Sequence, residues 1–303
     1  MKSLKIVLAA SLLCLLQGSA SSAAAQPANV QRSGIVYYDA NRYPNGVQNV
    51  AKQGKLQLAM DANGVMFDQD ESVGTRIRLM TEIAAKKGGG FEGWGYALWA
   101  AQKGFSIKKL KNEWSEEGNP KGFCSDAIMM EIAEEENDPF LLQALRDATL
   151  QVVTPNIEVA HILKKLTDHG HHIAVLSNMG NQLLYLQEKQ LGEKIDAGAF
   201  EGAQLEAAQT LHKIIGKNNP HNVVASTLTG NPHKPADEAY QTFLERNQNG
   251  QIMTVLVDDK LKNIQAAVKN GFVGILCEKE QAAEALKQAL PYLLGVDIFA
   301  AQQ

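Results

Sequence analysis

Three apolar runs in this 303-residue chain end in polar residues able to do chemistry: Asp61 and Asn63 follow KLQLAM, Ser177 and Asn178 follow HIAVL, and Asp258 and Asp259 follow IMTVLV. A fourth, Lys234, stands in GNPHKPADEAY, where Pro235 at the first position of a predicted helix fixes the lysine at a loop-to-helix junction. Together they offer a carboxylate nucleophile, a hydroxyl and amides to hold an oxyanion, a lysine to balance charge, and an acidic pair for a hard cation. That set is suited to phosphoryl transfer. Mg²⁺ prefers oxygen ligands and needs only one or two carboxylates beside waters and phosphate oxygens. Asp61 and Asp258 meet that need, with Asp259 beside them and the Asn63 carbonyl assisting.

The elements that must carry these residues can be read from patterning. Residues 55–60 alternate before Asp61 and predict a short strand with Asp61 at its carboxyl end. After residue 150 the pattern alternates: helix 156–169, strand 171–177, helices 180–191, 203–216 and 235–247, strand 252–258, helix 260–270, then the strand FVGIL. Such alternation predicts an α/β fold whose parallel sheet is covered by helices on both faces. IAVL and MTVLV are apolar without in/out alternation, as buried central strands require. Ligands of open α/β sheets bind outside the carboxyl ends of the strands, so the polar strand ends converge on one crevice. Residues 72–149 are mostly helical, broken by GGGFEGWG, and read as an inserted helical cap; residues 26–54 read as an irregular N-terminal extension.

At these residues the sequence resembles the haloacid dehalogenase (HAD)-like superfamily. MDANGVMFD looks like its first motif, HIAVLSN its second, GNPHKPADEAY its third and VLVDDKLKNIQAAVKNGFVGI its fourth, in the family's order. The resemblance covers about residues 56–68 and 150–280. It implies a HAD-like core over 55–71 and 150–303 with the cap inserted after the first motif. It implies Asp61 as nucleophile, Ser177 and Asn178 as binders of the transferred group, Lys234 as charge shield, and Asp258 with Asp259 as holders of magnesium. Asn263 would support that acidic loop.

One position departs from the pattern. The family's phosphatases carry a second Asp two residues after the nucleophile, which protonates the leaving oxygen, and here that position is Asn63. An amide donates a hydrogen bond but no proton, and general acid–base catalysis contributes roughly 10²–10⁴-fold. Asp68, Asp70 and acidic or histidine residues of the cap are candidate substitutes, although Asp68 reads better as a solvated or capping residue. Three readings follow: a hydrolase of a small phosphorylated molecule, for substrates with good leaving groups or with an acid from elsewhere, whose turnover is otherwise weak; a relative cleaving bonds to carbon or phosphonate; or a catalytically silent HAD-fold binding or interaction protein. The first is carried forward. Haloacid dehalogenation is disfavoured by the acidic pair, since that branch needs no metal.

Bulk features narrow the setting. Lys2 and Lys5, the apolar residues 6–16 and the small-residue run GSASSAAA predict a signal peptide over residues 1–25 and a periplasmic or secreted product. The apolar run is too short to span a bilayer. Net charge is -4 with no basic stripe, which argues against nucleic acid as a partner. Cys124 and Cys277 are too few for a disulfide framework and read as buried thiols. His169, His171 and His172 fall at a strand's amino end and read as a solvated loop. The acidic run 131–138 reads as a hydrated helix face.

Overall fold

Apolar strands fill the core of the larger of two compact units, as their patterning predicts. The computed structural model describes residues 34–48, 54–70, 72–116, 125–225, 232–247, 253–278 and 281–299. The predicted signal peptide, Cys14 and Cys124 lie outside the described residues. The chain forms two compact units, residues 71–105 and residues 32–70 together with 106–303.

The larger unit is built on a six-stranded sheet in the order β1-β8-β7-β2-β5-β6. Its strands are β1 (Val36–Tyr37), β2 (Leu56–Met60), β5 (His172–Ser177), β6 (Val223–Val224), β7 (Met253–Asp258) and β8 (Val273–Leu276). All neighbours are parallel except β1, which runs antiparallel to β8 at one edge with Val36 opposite Ile275. This strand falls in the segment read as irregular, because two residues are too few to leave a period. From β2 the chain fills one side of the sheet with β5 and β6 and then crosses to the other with β7 and β8. The strand order therefore reverses at β2, where open α/β sheets form their crevice.

The helices of this unit that are needed below are α3 (Ser125–Glu135), α4 (Pro139–Val152), α5 (Ile157–Asp168), α6 (Asn181–Asp196), α7 (Gly202–Ile215), α8 (Asp237–Arg246), α9 (Leu261–Lys269) and α10 (Ala282–Leu294). Tyr240, Phe243 and Ile264 from α8 and α9 form one core with Ala59, Ala174, Leu176 and Leu256 of the sheet. Successive strand residues face opposite ways, and all five residues of β2 are buried, so the other face is covered too. There α5 packs on α7 and α10, and α7 on β5. Helices α3 and α4 pack against α6 in this same unit.

Two short strands lead out of and back into the sheet region: β3 (Phe67–Gln69) pairs antiparallel with β4 (Val153–Pro155). Asp68 of β3 accepts a hydrogen bond from Asn156 Nδ2 at 3.0 Å, while Asn156 Oδ1 caps α5 through Val159 N–H. Asp68 thus holds the side chain that caps α5 and is not itself the cap.

The smaller unit pairs α1 (Val73–Lys86) with the first part of α2 (Gly90–Glu116). The glycine-rich break is shorter than expected, since α2 already begins at Gly90 and only Gly88 to Gly90 take positive φ. Gly93 lies inside α2 because a Cβ there would sit 2.4 Å from the Ala84 carbonyl oxygen, so its absence lets the two helices approach. Met80, Ala84 and Ala97 fill the contact, with Ile83, Trp94 and Leu98 around them.

Of the three histidines before and at the start of β5, His169 lies in an exposed turn as its sequence context suggests, whereas His171 and His172 do not. His171 is buried, and its Nδ1 accepts a hydrogen bond from Leu56 N–H at 3.1 Å. His172 Nδ1 bonds the Gln57 side-chain oxygen at 2.6 Å, and its ring stands edge-on to His221 with centroids 4.6 Å apart. Parallel pairing of β2 with β5 brings these residues together, a register that one strand's sequence does not contain. Among the described residues no helix is long and apolar enough to cross a membrane.

Candidate active site

The ends of β2, β5 and β7 deliver the predicted residues to one pocket. Asp61 directly follows β2, and its N–H continues the ladder by donating to Val257 O at 2.9 Å. Ser177 ends β5 and donates its hydroxyl to Asp61 Oδ1 at 2.8 Å. The Ser177 oxygen in turn accepts from Met179 N–H and Ala62 N–H, at 3.2 and 3.4 Å, so its proton is directed at the carboxylate.

Lys234 is 2% exposed, and its ammonium lies 3.0 Å from Asp61 Oδ1 and 2.5 Å from Asp258 Oδ2. Asn178 reaches back to the Lys234 backbone, with Nδ2 donating to Lys234 O and Oδ1 accepting from Lys234 N–H, both at 2.7 Å. Its amide is therefore engaged in setting the lysine.

The acidic loop is braced from behind. Asp258 accepts from Asn263 Nδ2 at 2.9 and 3.0 Å and from Lys260 N–H at 2.8 Å. Asn263 is itself held by Tyr240, whose hydroxyl donates to its carbonyl at 2.9 Å. Asp259 comes close because Gly64, at φ +82°, has no side chain; a Cβ there would lie 3.1 Å from Asp259 Oδ2.

Three carboxylates here face two ammonium groups, Lys234 and Lys260. Burial pushes the Asp61 carboxyl up, but Lys234, Lys260 and the Ser177 hydroxyl more than reverse this and hold it below its ordinary range. For Asp258, burial and the neighbouring Asp61 charge outweigh Lys234, and its pKa is raised. Asp259 is pushed up to about 6 by burial and then by Asp61. Burial works against the charge on Lys234, yet Asp258 and Asp61 raise its pKa, so the proton stays on nitrogen. Asp61 is thus the carboxylate of the three whose pKa the pocket lowers.

The excess negative charge suits a hard cation. Asp61, Asp258 and Asp259 each bring a carboxylate oxygen within 4.8 Å of the others. Asp259 Oδ1 and Asn63 Oδ1 are buried and lack hydrogen-bond partners. A buried oxygen without a donor is costly, and oxygen donors of this kind are what Mg²⁺ takes. The donor set fits the metal expected for Asp61, Asn63, Asp258 and Asp259.

Lys260 was not singled out from the sequence. Its only signal there is position, directly after the acidic pair and before a predicted helix.

No protein-family model matches the chain, and no curated protein matches it. Solved structures similar to it are HAD family enzymes and haloacid dehalogenases. A HAD family enzyme from Bacteroides thetaiotaomicron is 16% identical, with 75% of this chain and 96% of that chain covered at a TM-score of 0.45; that enzyme is also known in complex with magnesium and inorganic phosphate. A predicted HAD-like family hydrolase from Porphyromonas gingivalis is 16% identical over 75% of this chain and 92% of that one, with a TM-score of 0.46. An L-2-haloacid dehalogenase from Xanthobacter autotrophicus with chloropropionic acid covalently bound is 15% identical over 80% and 84%, with a TM-score of 0.40.

Proposed function

We propose that the chain is an exported, Mg²⁺-dependent hydrolase of the phosphatase type, which transfers the phosphoryl group of a small phosphorylated molecule to Asp61. One observation carries this reading: Asp61, buried at the carboxyl end of the central strand, is held ionised, and both of its described partners, Ser177 and Lys234, act on Oδ1. Oδ2 is then the oxygen that attacks. Lys234, fixed by Asn178, balances charge between Asp61 and Asp258, and the Ser177 hydroxyl orients the nucleophile. Asp61, Asp258, Asp259 and the Asn63 carbonyl would hold magnesium, which supplies charge neutralisation for the transferring phosphoryl group when bound.

Asn63 hydrogen-bonds a leaving oxygen without protonating it, so turnover of ordinary phosphate esters is slow. The test is Mg²⁺-dependent hydrolysis of an activated aryl phosphate. Asp61→Asn is expected to lower the rate by at least about 1,000-fold. Asn63→Asp is expected to raise ester turnover within the roughly 10²–10⁴-fold range of acid–base catalysis. Absence of activity in all three folded proteins would favour the second reading, a silent binding protein, which the amide at position 63 motivates.

A further inference from the structure

Lys260 differs from Lys234 in ways that bear on the substrate. Lys234 is enclosed, its side chain 1% exposed and held by two carboxylates. The Lys260 side chain is 48% exposed, and its ion pair with Asp259 Oδ1 spans 3.7 Å, beyond hydrogen-bond length. Its backbone is nevertheless pinned to the pocket by the bond from its N–H to Asp258 Oδ1. The ammonium therefore stands at the solvent side of the acidic cluster, anchored at its root and weakly engaged at its tip. It lies 3.7 Å from Asp259 Oδ1, and its charge acts to lower the pKa of Asp61, Asp258 and Asp259.

A departing alkoxide is about as basic as hydroxide, so it needs a proton in the transition state. Asn63 has none to give. A departing carboxylate, with a conjugate acid of pKa about 4, needs only a positive charge nearby. We propose that Lys260 binds an anionic oxygen of the leaving group and that the substrates are phosphoric anhydrides, acyl phosphates or phosphoanhydrides, in preference to alkyl phosphate esters. This rests on the aspartyl-phosphate reading above.

The step balances without an acid. Asp61 Oδ2 forms a bond to phosphorus, the bond from phosphorus to the bridging oxygen breaks, and its electron pair leaves on a carboxylate or phosphate anion beside Lys260. Water then attacks the phosphorus of the aspartyl-phosphate. The Asp61–phosphorus bond breaks, its electron pair returns to the carboxylate, and the proton that water loses goes to inorganic phosphate or to buffer.

The experiment measures kcat/KM with Mg²⁺ for acetyl phosphate, pyrophosphate, p-nitrophenyl phosphate and glycerol phosphate, in wild-type protein and in Asp61→Asn, Lys260→Ala, Lys260→Arg and Asn63→Asp. Wild-type protein is expected to prefer an anhydride to glycerol phosphate by at least about 100-fold, the share an absent general acid would have supplied. Lys260→Ala should lose about 10-fold more on the anhydride than on p-nitrophenyl phosphate, Lys260→Arg should recover most of it, and Asn63→Asp should narrow the preference. A binding readout accompanies it: calorimetry of methylenediphosphonate and methylphosphonate with Asp61→Asn protein, with and without Lys260→Ala, in which only the diphosphonate should weaken. The faster of acetyl phosphate and pyrophosphate assigns the leaving group. Asp61-dependent hydrolysis without the anhydride preference, or equal losses on all substrates in Lys260→Ala, would overturn this inference and leave the phosphatase reading standing. No Asp61-dependent hydrolysis in any folded variant would remove both.

Discussion

The two ends of the parallel sheet use polar side chains in opposite ways. At the amino end, Leu56 N–H meets His171, Gln57 meets His172, and His172 stacks edge-on against His221. Burial holds the His171 imidazole down to about pKa 4, and it lowers His172 as well, so both rings are neutral at pH 7. The two histidine rings there have partners and carry no charge at pH 7. At the carboxyl end three carboxylates and two ammonium groups crowd together, and three buried side-chain oxygens, on Asn63, Asp259 and Asn263, have no hydrogen-bond partner. A satisfied neutral network ties strands together, whereas a charged one with donors missing is arranged for something yet to arrive. His171 and His172, read from the sequence as part of a solvated loop, belong instead to the paired network.

The contrast can be broken most forcefully at Lys234. Lys234→Met leaves Asp61 and Asp258 buried without their shared cation, and a loss of about 3–5 kcal/mol in urea denaturation is expected, together with loss of hydrolysis. A variant as stable as wild type would show that the carboxylates are not charged in the folded state. Next comes acidification at the other end. The His171 pKa is depressed in the folded protein, so its contribution is complete above pH 6.5, the unfolded value, and is lost as the pH falls toward about 4. Denaturation followed from pH 7 to 4 should show a His171 share of at most about 3 kcal/mol, and His171→Asn should lack that share of the slope. An unchanged slope would mean that this ring takes up its proton alike in the folded and unfolded states. The smallest effect is expected from His172→Phe, which gives up one hydrogen bond to Gln57 and should cost about 1 kcal/mol while leaving hydrolysis in place. Loss of hydrolysis in a stable His172→Phe protein would erase the distinction between the two ends.

Much of the core was legible. Strands predicted at 171–177 and 252–258 occur at His172–Ser177 and Met253–Asp258, and helices predicted at 156–169 and 260–270 occur at Ile157–Asp168 and Leu261–Lys269. Apolar runs bounded by polar residues mark such elements because burial on both faces leaves no choice of residue type. Strands β1, β3, β4 and β6 escaped because two or three residues hold no period. The convergence of Asp61, Ser177, Lys234 and Asp258 was legible because a parallel sheet puts equivalent strand ends on one edge. The commitment of Asn178 to the Lys234 backbone and the reach of Lys260 were not, since both depend on where a side chain turns after its strand has ended. The histidine pairing was hidden for a related reason: it depends on the register between β2 and β5.

The antiparallel edge strand has a consequence for how the chain is made. Val36 and Tyr37 are synthesised early, yet their partners Ile275 and Gly274 belong to the last strand of the sheet. A growing chain must hold this segment unpaired until nearly all of the domain has emerged, and pairing over such separations is slow. Until then the outer edge of β8 stays open to any other extended chain, and edges of that kind seed aggregation. Closing the sheet is therefore a late event in assembly, set by the length of the chain rather than by the strength of a two-residue contact.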